Sequence, residues 1–167
     1  MTIYIGIDPG ITGAIAILGN EGQFIHALRV PIIEAGNSRK EYDLREMSNI
    51  LLDVLSNVDD HVSCWIEKQT TAPGDGRVGI FRFGIGYGMW QGLLTGLGVP
   101  FEFVTPQRWQ GVMLAGHPRN GRDQIKVSAV TVAKNLYPPI SIKFKKDWGM
   151  ADAALIAEYG RRSQAKE

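Results

Sequence analysis

The chain has 167 residues, of which 44% are hydrophobic and 21% are charged, an ordinary mixture for one compact domain with a sizeable core. Its single cysteine, Cys64, excludes a disulfide framework and a cysteine-based zinc site, and favours a reducing compartment. No basic signal-like start and no apolar run near the roughly 20 residues that span a bilayer are found, which argues against secretion and membrane insertion.

The net charge of +1 conceals an uneven distribution along the chain. Residues 1–103 contain seven Lys and Arg against twelve Asp and Glu, whereas residues 104–146 contain eight basic residues against Asp123 alone. Such a stretch favours a surface that faces a polyanion, although a solvated basic helix and loop would give the same pattern. The eight basic residues are Arg108, Arg119, Arg122, Lys126, Lys134, Lys143, Lys145 and Lys146.

The first elements are predicted to be three strands in a meander. Alternating apolar residues run from Ile3 to Ile7, a turn follows at Asp8-Pro9-Gly10, and further strand-like runs cover 14–18 and 23–30. The polar stretch around 36–38 then predicts a loop.

A helix and a buried strand are predicted next. Apolar residues at helical spacing predict an amphipathic helix over 43–57, with Asp43 as its N-cap and Glu46 completing a capping-box-like pattern. The apolar run 62–67 fits a buried strand that lies parallel to an earlier one, because a helix connects them. An exposed loop is expected over 68–78.

The second half is predicted to be mostly helical. Helices are expected over about 79–97, 122–136 and 148–161, with a short strand over 101–104. The sequence contains no internal repeat and no segment whose composition marks a second domain. The elements therefore predict one α/β domain over 1–167.

Two acids are predicted to meet at one edge of the sheet. Asp8 ends the first strand and Glu67 ends the fourth. If these strands are parallel neighbours, both carboxylates emerge at the carboxyl edge, where ligand sites are favoured. Each acid alone is weak evidence, because Asp-Pro-Gly is a common turn and a charge that closes a strand is often solvated.

Asp152 lies on the apolar stripe of the last helix, since Leu155, Ile156 and Tyr159 follow it at helical spacing. A carboxylate there is costly unless it is paired, hydrogen-bonded or bound to a cation; alternatively, it lies at the margin of the stripe and reaches water. Carboxylates without His or Cys suit Mg²⁺ or Mn²⁺, and two such ions about 3.5–4 Å apart can promote phosphodiester hydrolysis.

Three motifs together resemble the RuvC family of Holliday junction resolvases: Ile5-Gly6-Ile7-Asp8-Pro9-Gly10 with Gly13-Ala14, Trp65-Ile66-Glu67, and Ala151-Asp152-Ala153. The resemblance runs over nearly the whole chain. It implies a ribonuclease-H-like fold with a central mixed five-stranded sheet flanked by helices. It also implies a homodimer that binds a four-way DNA junction and makes paired nicks with Mg²⁺, or with Mn²⁺ in its place, two ions to a site.

The resemblance assigns Asp8, Glu67 and Asp152 to the family's catalytic, metal-binding acids. Bacterial members place a fourth ligand three residues before the last acid, where this chain has Gly149. Asp147 is the replacement candidate, and the segment around it is more similar to the plant chloroplast and phage-type branch. The alternative is that Asp147 caps the last helix.

The family also implies a lysine near the scissile phosphate, for which Lys126 is the first choice and Lys146 the second; either could instead be a surface lysine. The segment with Arg77, Phe81 and Arg82 corresponds to a region that enters the junction, and an aromatic ring there can stack on a base for about 1–3 kcal/mol. Phe81 could also anchor the helix in the core, as we expect for Phe83. The DNA-binding candidates are Arg77, Phe81, Arg82, Arg108, Arg119, Arg122, Lys143, Lys145 and Lys146.

Gly84, Gly88, Gly92 and Gly96 recur every four residues and form a stripe along one face of the second helix. Glycine costs about 1 kcal/mol per helical site relative to alanine, so the stripe indicates close backbone contact. The partner is expected to be a second subunit; the alternative is packing on the helix's own sheet.

Other functions share some of these features. Sugar kinases and actin-like ATPases also begin with a strand, an acidic turn and a hairpin, but normally need two lobes and a longer chain. A catalytically silent junction-binding module, or an endonuclease that acts mainly on flaps, would share the same fold. The expected location is the cytoplasm of a bacterial or phage-infected cell, with an organelle as the alternative if a transit peptide has been removed.

Overall fold

The structure, a computed structural model, describes residues 2–36, 39–57, 61–68, 70 and 76–165. Its centre is a mixed five-stranded sheet in the order β3-β2-β1-β6-β7, and a separate two-stranded hairpin is formed by β4 and β5. The strands are β1 (Ile3–Asp8), β2 (Ala14–Leu18), β3 (Phe24–Arg29), β4 (Ile32–Ala35), β5 (Arg39–Tyr42), β6 (Val62–Glu67) and β7 (Phe101–Val104).

In the described residues, five helices flank the sheet, and the limits of four of them agree closely with the helices predicted from the sequence. The side chain of Asp43 accepts a hydrogen bond from the backbone N–H of Glu46, which confirms the predicted cap of the first helix. The helices are α1 (Leu44–Ser56), α2 (Arg77–Gly96), α3 (Pro106–Met113), α4 (Arg122–Leu136) and α5 (Trp148–Gln164), with a 3-10 turn over Lys145–Asp147.

The sheet is covered on both faces because successive residues of a strand point to opposite sides. Ile3, Ile5 and Ile7 of β1 belong to the core on the side of α1 and α2. Tyr4 belongs to the second core, which α3, α4 and α5 cover. The α/β fold with a flanked, mixed five-stranded sheet is therefore confirmed.

The parallel pairing of β1 with β6 is also confirmed, with Ile7 opposite Ile66. Sequence reasoning did not predict two elements, the β4–β5 hairpin and α3. In this region the sequence predicted only a loop around 36–38, because the mostly exposed strands of the hairpin show no apolar alternation.

Some predicted loops lie partly outside the described residues, namely Asn37 and Ser38 of the first loop and Gln69 and residues 71–75 of the second. In the portion of the chain that is described, none of the helices combines the length and hydropathy needed to cross a bilayer.

Candidate active site

Asp8 and Glu67 lie side by side at the carboxyl ends of two parallel strands. Each directly follows a paired residue, since Ile7 of β1 is opposite Ile66 of β6. The alternation of the strands directs Asp8 to the side of Tyr4 and Glu67 to the side of Trp65, both of which lie in the core under α5. The two acids therefore open toward the same layer of helices.

Helix α5 brings Asp152 to these strands through unusually close packing at Gly6. A Cβ atom built on Gly6 would lie 2.1 Å from the carbonyl oxygen of Ala153 and 2.4 Å from the nitrogen of Ala157. Only glycine permits this approach of strand and helix. Asp152, one residue before Ala153, is thereby carried into the interior with 4% of its surface exposed.

Lys126 of α4 supplies the positive charge of the site. Its Nζ forms a salt bridge with Oδ2 of Asp152 and is also attracted by Asp8 and Glu67. Burial lowers the pKa of Lys126, but the neighbouring carboxylates more than reverse this, so its pKa is raised and the lysine stays charged. The lysine is thus part of the acid cluster and not a solvated surface residue.

Burial raises the pKa of all three acids. The pKa of Glu67 rises to about 8 because burial and repulsion by Asp8 outweigh a hydrogen bond from Trp109. The pKa of Asp152 rises to about 6, since burial and Asp8 outweigh the attraction of Lys126. For Asp8 the pKa is likewise raised, because burial prevails over the same lysine. The carboxylates therefore repel one another in a site that is partly shielded from water.

One carboxylate oxygen of the cluster, Oδ1 of Asp152, is buried without a hydrogen-bond partner among the described residues. An orphaned acceptor of this kind is costly unless a donor or cation reaches it. As the described side chains stand, however, no group of three or more His, Cys, Asp or Glu is arranged to hold a metal ion. Asp152 is engaged by Lys126 instead.

The cluster lies at the bottom of an open cleft of about 640 Å³. Asp8, Glu67 and Asp152 share it with Lys126, and the basic side chains of Arg122 and Lys145 line it as well. This volume is large enough to admit a nucleotide-sized group to the acids, and its basic walls favour an anionic one.

Asp147 does not join the cluster. Its Oδ2 accepts hydrogen bonds from the backbone N–H groups of Lys143 (3.2 Å) and Phe144 (2.9 Å), and its Oδ1 lies 3.8 Å from Nε of Arg29. The hydrogen bond from Phe144 is the main reason why its pKa is lowered. Although Asp147 directly precedes α5, its side chain makes no capping hydrogen bond to that helix. Neither sequence-based role for Asp147 is supported by these contacts.

Close packing explains why residue 149, where bacterial members of the resembled family place a metal ligand, is a glycine in this chain. A Cβ atom on Gly149 would lie 2.6 Å from the carbonyl oxygen of Thr12 and 2.9 Å from Cα of Gly13. The start of α5 therefore rests directly on the backbone of the β1–β2 turn. No acid fits at this position without moving that turn.

The DNA-binding candidates are distributed over several surfaces. Arg122 and Lys145 line the acid cleft, and Lys146 lines a neighbouring groove. Arg108 instead lines a small pocket with Glu102 and residues from the end of α5. Three further candidates, Arg77, Arg119 and Lys143, are exposed and do not line the acid cleft.

The aromatic candidates of α2 are both exposed. Phe81 is 69% exposed and lines an apolar pocket with Arg82, next to the β4–β5 hairpin. Phe83 was expected in the core, but it is 39% exposed and lines the acid cleft. This expectation was wrong because the first turns of α2 extend beyond the sheet; its buried residues begin at Gly86.

The glycine stripe of α2 faces outward. Among the described residues, no heavy atom lies within 4 Å of a Cβ built on Gly84, Gly88, Gly92 or Gly96. Packing on the helix's own sheet uses Gly86, Trp90 and Leu94 instead, roughly opposite the stripe. The close contact that would explain these glycines is not supplied by the described part of this chain.

Sequence reasoning missed Trp109, whose indole N–H donates a 2.8 Å hydrogen bond to Oε1 of Glu67. It also missed Tyr42, whose hydroxyl donates to the carbonyl oxygen of Pro9 in the turn after Asp8. Thr105 followed by Pro106 is a helix-start signature that could have identified α3 and hence Trp109. No comparable signal marks Tyr42.

Comparisons with known proteins agree with this architecture, although no protein-family model matches the chain. Over 98 residues, the chain is 33% identical to the chloroplastic Holliday junction resolvase MOC1 of Chlamydomonas reinhardtii. This match covers 57% of the chain but only 10% of the relative, so the chain spans about a tenth of that protein.

Solved structures match over nearly the full length. Thermus thermophilus RuvC in complex with a Holliday junction substrate gives a TM-score of 0.65 at 14% identity, covering 99% of this chain and 96% of that one. A second T. thermophilus RuvC structure gives 0.63 at 17% identity, with 97% and 96% covered. The yeast mitochondrial Holliday junction resolvase Ydc2 gives 0.53 at 20% identity, with 97% and 78% covered. The chain therefore has the ribonuclease-H-like fold of RuvC and resembles a chloroplastic resolvase in sequence.

Proposed function

We propose that this protein is a Mg²⁺-dependent endonuclease that resolves four-way DNA junctions by nicking phosphodiester bonds. The observation that carries the proposal is the convergence of Asp8, Glu67 and Asp152, from three distant parts of the chain, on one cleft with Lys126. Mutually repelling acids in a half-buried site are unfavourable for stability, and such sites are found where function requires them.

The donor set fits Mg²⁺ or Mn²⁺. All three ligand candidates provide hard carboxylate oxygens, and Oδ1 of Asp152 lacks a hydrogen-bond partner in the described residues. Two cations that attract Asp8, Lys126 and Arg122, face three carboxylates, which leaves room for divalent charge. Asp8, Glu67 and Asp152 would hold the ions, of which we expect two. Bound there, the ions would polarise the phosphate and make water a better nucleophile.

Lys126 and Arg122 complete the proposed chemistry. Both lie in the cleft with the acids, and both are cations that attract Asp8. A phosphodiester entering the cleft would gain electrostatic stabilisation from them as negative charge develops on its oxygens. Asp152 is buried and Asp8 and Glu67 are half-buried, so the acids are partly shielded from water, which strengthens each of these interactions.

Branched DNA is the proposed substrate because two independent lines point to it. The relative of similar sequence is a Holliday junction resolvase, and one RuvC with the same fold was solved on a junction. In this chain, Phe81 is exposed on the extension of α2, where its ring is available to stack on an unpaired base. Arg77 and Arg82 on the same turns would contact phosphates.

A homodimer is the proposed assembly. The outward stripe from Gly84 to Gly96 offers a surface on which another helix could pack closely. Two active sites related by twofold symmetry would account for paired nicks on a four-way junction.

The decisive experiment compares cleavage of sequence-matched four-way junctions, flaps and linear duplexes, with Mg²⁺ and with EDTA. We expect Mg²⁺-dependent nicking of the junction in preference to the linear duplex. If the flap were cleaved faster than the four-way junction, the protein would instead be a flap endonuclease. Nucleotide hydrolysis without any nicking would favour the ATPase alternative.

The acids are tested in the same assay. Asp8→Asn, Glu67→Gln and Asp152→Asn are each expected to abolish nicking while junction binding, measured by fluorescence anisotropy, is retained. Each of these changes keeps the size of the side chain and removes its charge. If a variant cleaved at the wild-type rate, the substituted residue would not be part of the catalytic site.

A further inference from the structure

A second groove adjoins the acid cleft and is distinct from it. It has a volume of about 460 Å³ and runs past the end of β3, where Val30 and Pro31 line it. Thr12 of the β1–β2 turn lines both the groove and the acid cleft, so the two are neighbours across that turn. A chain leaving the acids over Thr12 would enter this groove.

Three separate elements contribute basic side chains to the groove. Arg29 comes from β3, Lys40 from β5 and Lys146 from the 3-10 turn before α5, and all three residues are exposed. No acidic residue is among its described lining residues. All three cations remain exposed, so together they can attract an anion that enters the groove. Because the three cations come from three separate elements, they suit a string of phosphates better than a single small anion.

Asp147 lies next to this groove and contacts two of the segments that line it. It is only 7% exposed, and one carboxylate oxygen accepts the backbone N–H groups of Lys143 and Phe144, which fixes the turn that carries Lys146. The other oxygen lies 3.8 Å from Nε of Arg29. The side chain of Arg29 nevertheless remains 52% exposed, so this contact positions the guanidinium without covering it.

We infer that the groove of Arg29, Lys40 and Lys146 binds the phosphate backbone of the DNA strand that continues from the acid cleft, and that Asp147 is its positioning residue. The inference rests on the proposed function, because it assumes that the cleft receives DNA. It assigns DNA contacts to Arg29 and Lys40, which lie outside the basic stretch of the sequence. It also gives Asp147 a role that needs no metal ion.

Binding is measured in an Asp152→Asn background, so that the junction stays intact. Arg29→Ala, Lys40→Ala and Lys146→Ala are each expected to raise the Kd for a labelled four-way junction by roughly 3–10-fold. The triple variant should also flatten the dependence of log Kd on log salt by about one unit for each phosphate that the protein no longer neutralises. Lys134→Ala, which removes an exposed lysine of α4 that lines neither the groove nor the acid cleft, is the matched control and should bind like the parent.

Cleavage separates positioning from catalysis. In single-turnover reactions at saturating enzyme, Arg29→Ala and Lys40→Ala with Asp152 intact should nick within about twofold of the wild-type rate, because these two side chains lie outside the acid cleft and do not touch the reacting bond. Asp147→Asn keeps an oxygen for the backbone N–H groups but loses the charge beside Arg29. It should weaken binding with the rate at saturation preserved, and Asp147→Ala should weaken binding further.

Two results would overturn the inference. If the triple variant bound the junction with wild-type affinity and wild-type salt dependence, the groove would not be a DNA-binding site. A loss of about 100-fold in the saturated rate of Asp147→Asn, with an unchanged Kd, would make Asp147 part of the catalytic machinery. Failure of the proposed function itself would look different, since the wild-type protein would then neither bind nor nick branched DNA.

Discussion

The indole N–H of Trp109 donates a 2.8 Å hydrogen bond to Oε1 of Glu67, 42 residues away in the chain. Trp109 is fully buried in the core beneath α5. A rigid ring held in a packed core can fix the orientation of the carboxylate that it contacts. The hydrogen bond also favours the ionised form of Glu67 and thereby opposes the rise in pKa caused by burial.

Replacing Trp109 by Phe should impair the site without removing any acid. The variant keeps an aromatic ring in the core but loses the N–H that orients Glu67. A hydrogen bond to a charged group contributes about 1.5–3 kcal/mol, so we expect the saturated single-turnover rate to fall by roughly 10–100-fold. Junction affinity, measured by anisotropy, should remain close to the wild-type value.

Trp90→Phe is the matched control for this change. Trp90 is also fully buried, on the opposite face of the sheet, and its indole nitrogen has no hydrogen-bond partner among the described residues. The two variants lose the same volume from a core, but only Trp109→Phe also breaks a hydrogen bond. If Trp90→Phe slowed nicking as much as Trp109→Phe, the effect of Trp109 would be one of packing alone.

The raised pKa values of the acids predict how stability changes with pH when EDTA removes divalent cations. In the folded protein, the pKa of Glu67 is about 8 and that of Asp152 about 6, whereas unfolded carboxyls titrate near 4.5 and 3.8. Between pH 6 and about pH 8, these two carboxyls therefore hold more protons in the folded state than in the unfolded state. Stability should fall as pH rises from 6 to 8.5.

Glu67→Gln should remove much of this pH dependence. At pH 8.5 in EDTA, we expect the variant to be more stable than the wild type by roughly 1–3 kcal/mol, which corresponds to about 2–4 °C in Tm for each kcal/mol. Differential scanning fluorimetry across this pH range measures the effect. Glu21→Gln, an exposed acid in the β2–β3 turn, should follow the wild-type curve. A wild-type Tm that is flat or rises over this range would contradict the prediction.

The meeting of Asp8 and Glu67 could be predicted because simple periodicities define it. Both acids are predicted at one edge of the sheet by three features. These are the alternation in β1, the short apolar run in β6 and the rule that strands joined through a helix lie parallel. Asp152 followed from the apolar stripe of its helix. Each of these inferences uses a pattern that extends over five or more residues.

The surroundings of Asp147 could not be predicted for the opposite reason. Its contacts with Lys143, Phe144 and Arg29 arise in an irregular turn, where no periodicity exists. Lys40 lies in a hairpin whose largely exposed strands give no alternating pattern. Contacts set by tertiary packing between irregular segments leave little trace in a single sequence.

The outward glycines of α2 predict opposite effects of one substitution on folding and on assembly. A methyl group at Gly88 would meet open space within the described chain, so Gly88→Ala should stabilise the monomer by up to about 1 kcal/mol through helix propensity. If a second subunit packs closely on this stripe, the same methyl group should weaken the dimer. Sedimentation equilibrium and thermal unfolding measure the two effects separately.

Gly86→Ala, on the buried face of the same helix, is the control. Its Cβ would lie 2.3 Å from the ring of Tyr42, so this variant should lose stability through a clash inside the subunit. Gly88→Leu should strengthen the contrast by blocking close helix contact while the monomer stays folded. A dimer dissociation constant that is unchanged in both Gly88 variants would place the subunit interface elsewhere, because no close helix contact on this stripe tolerates a leucine side chain.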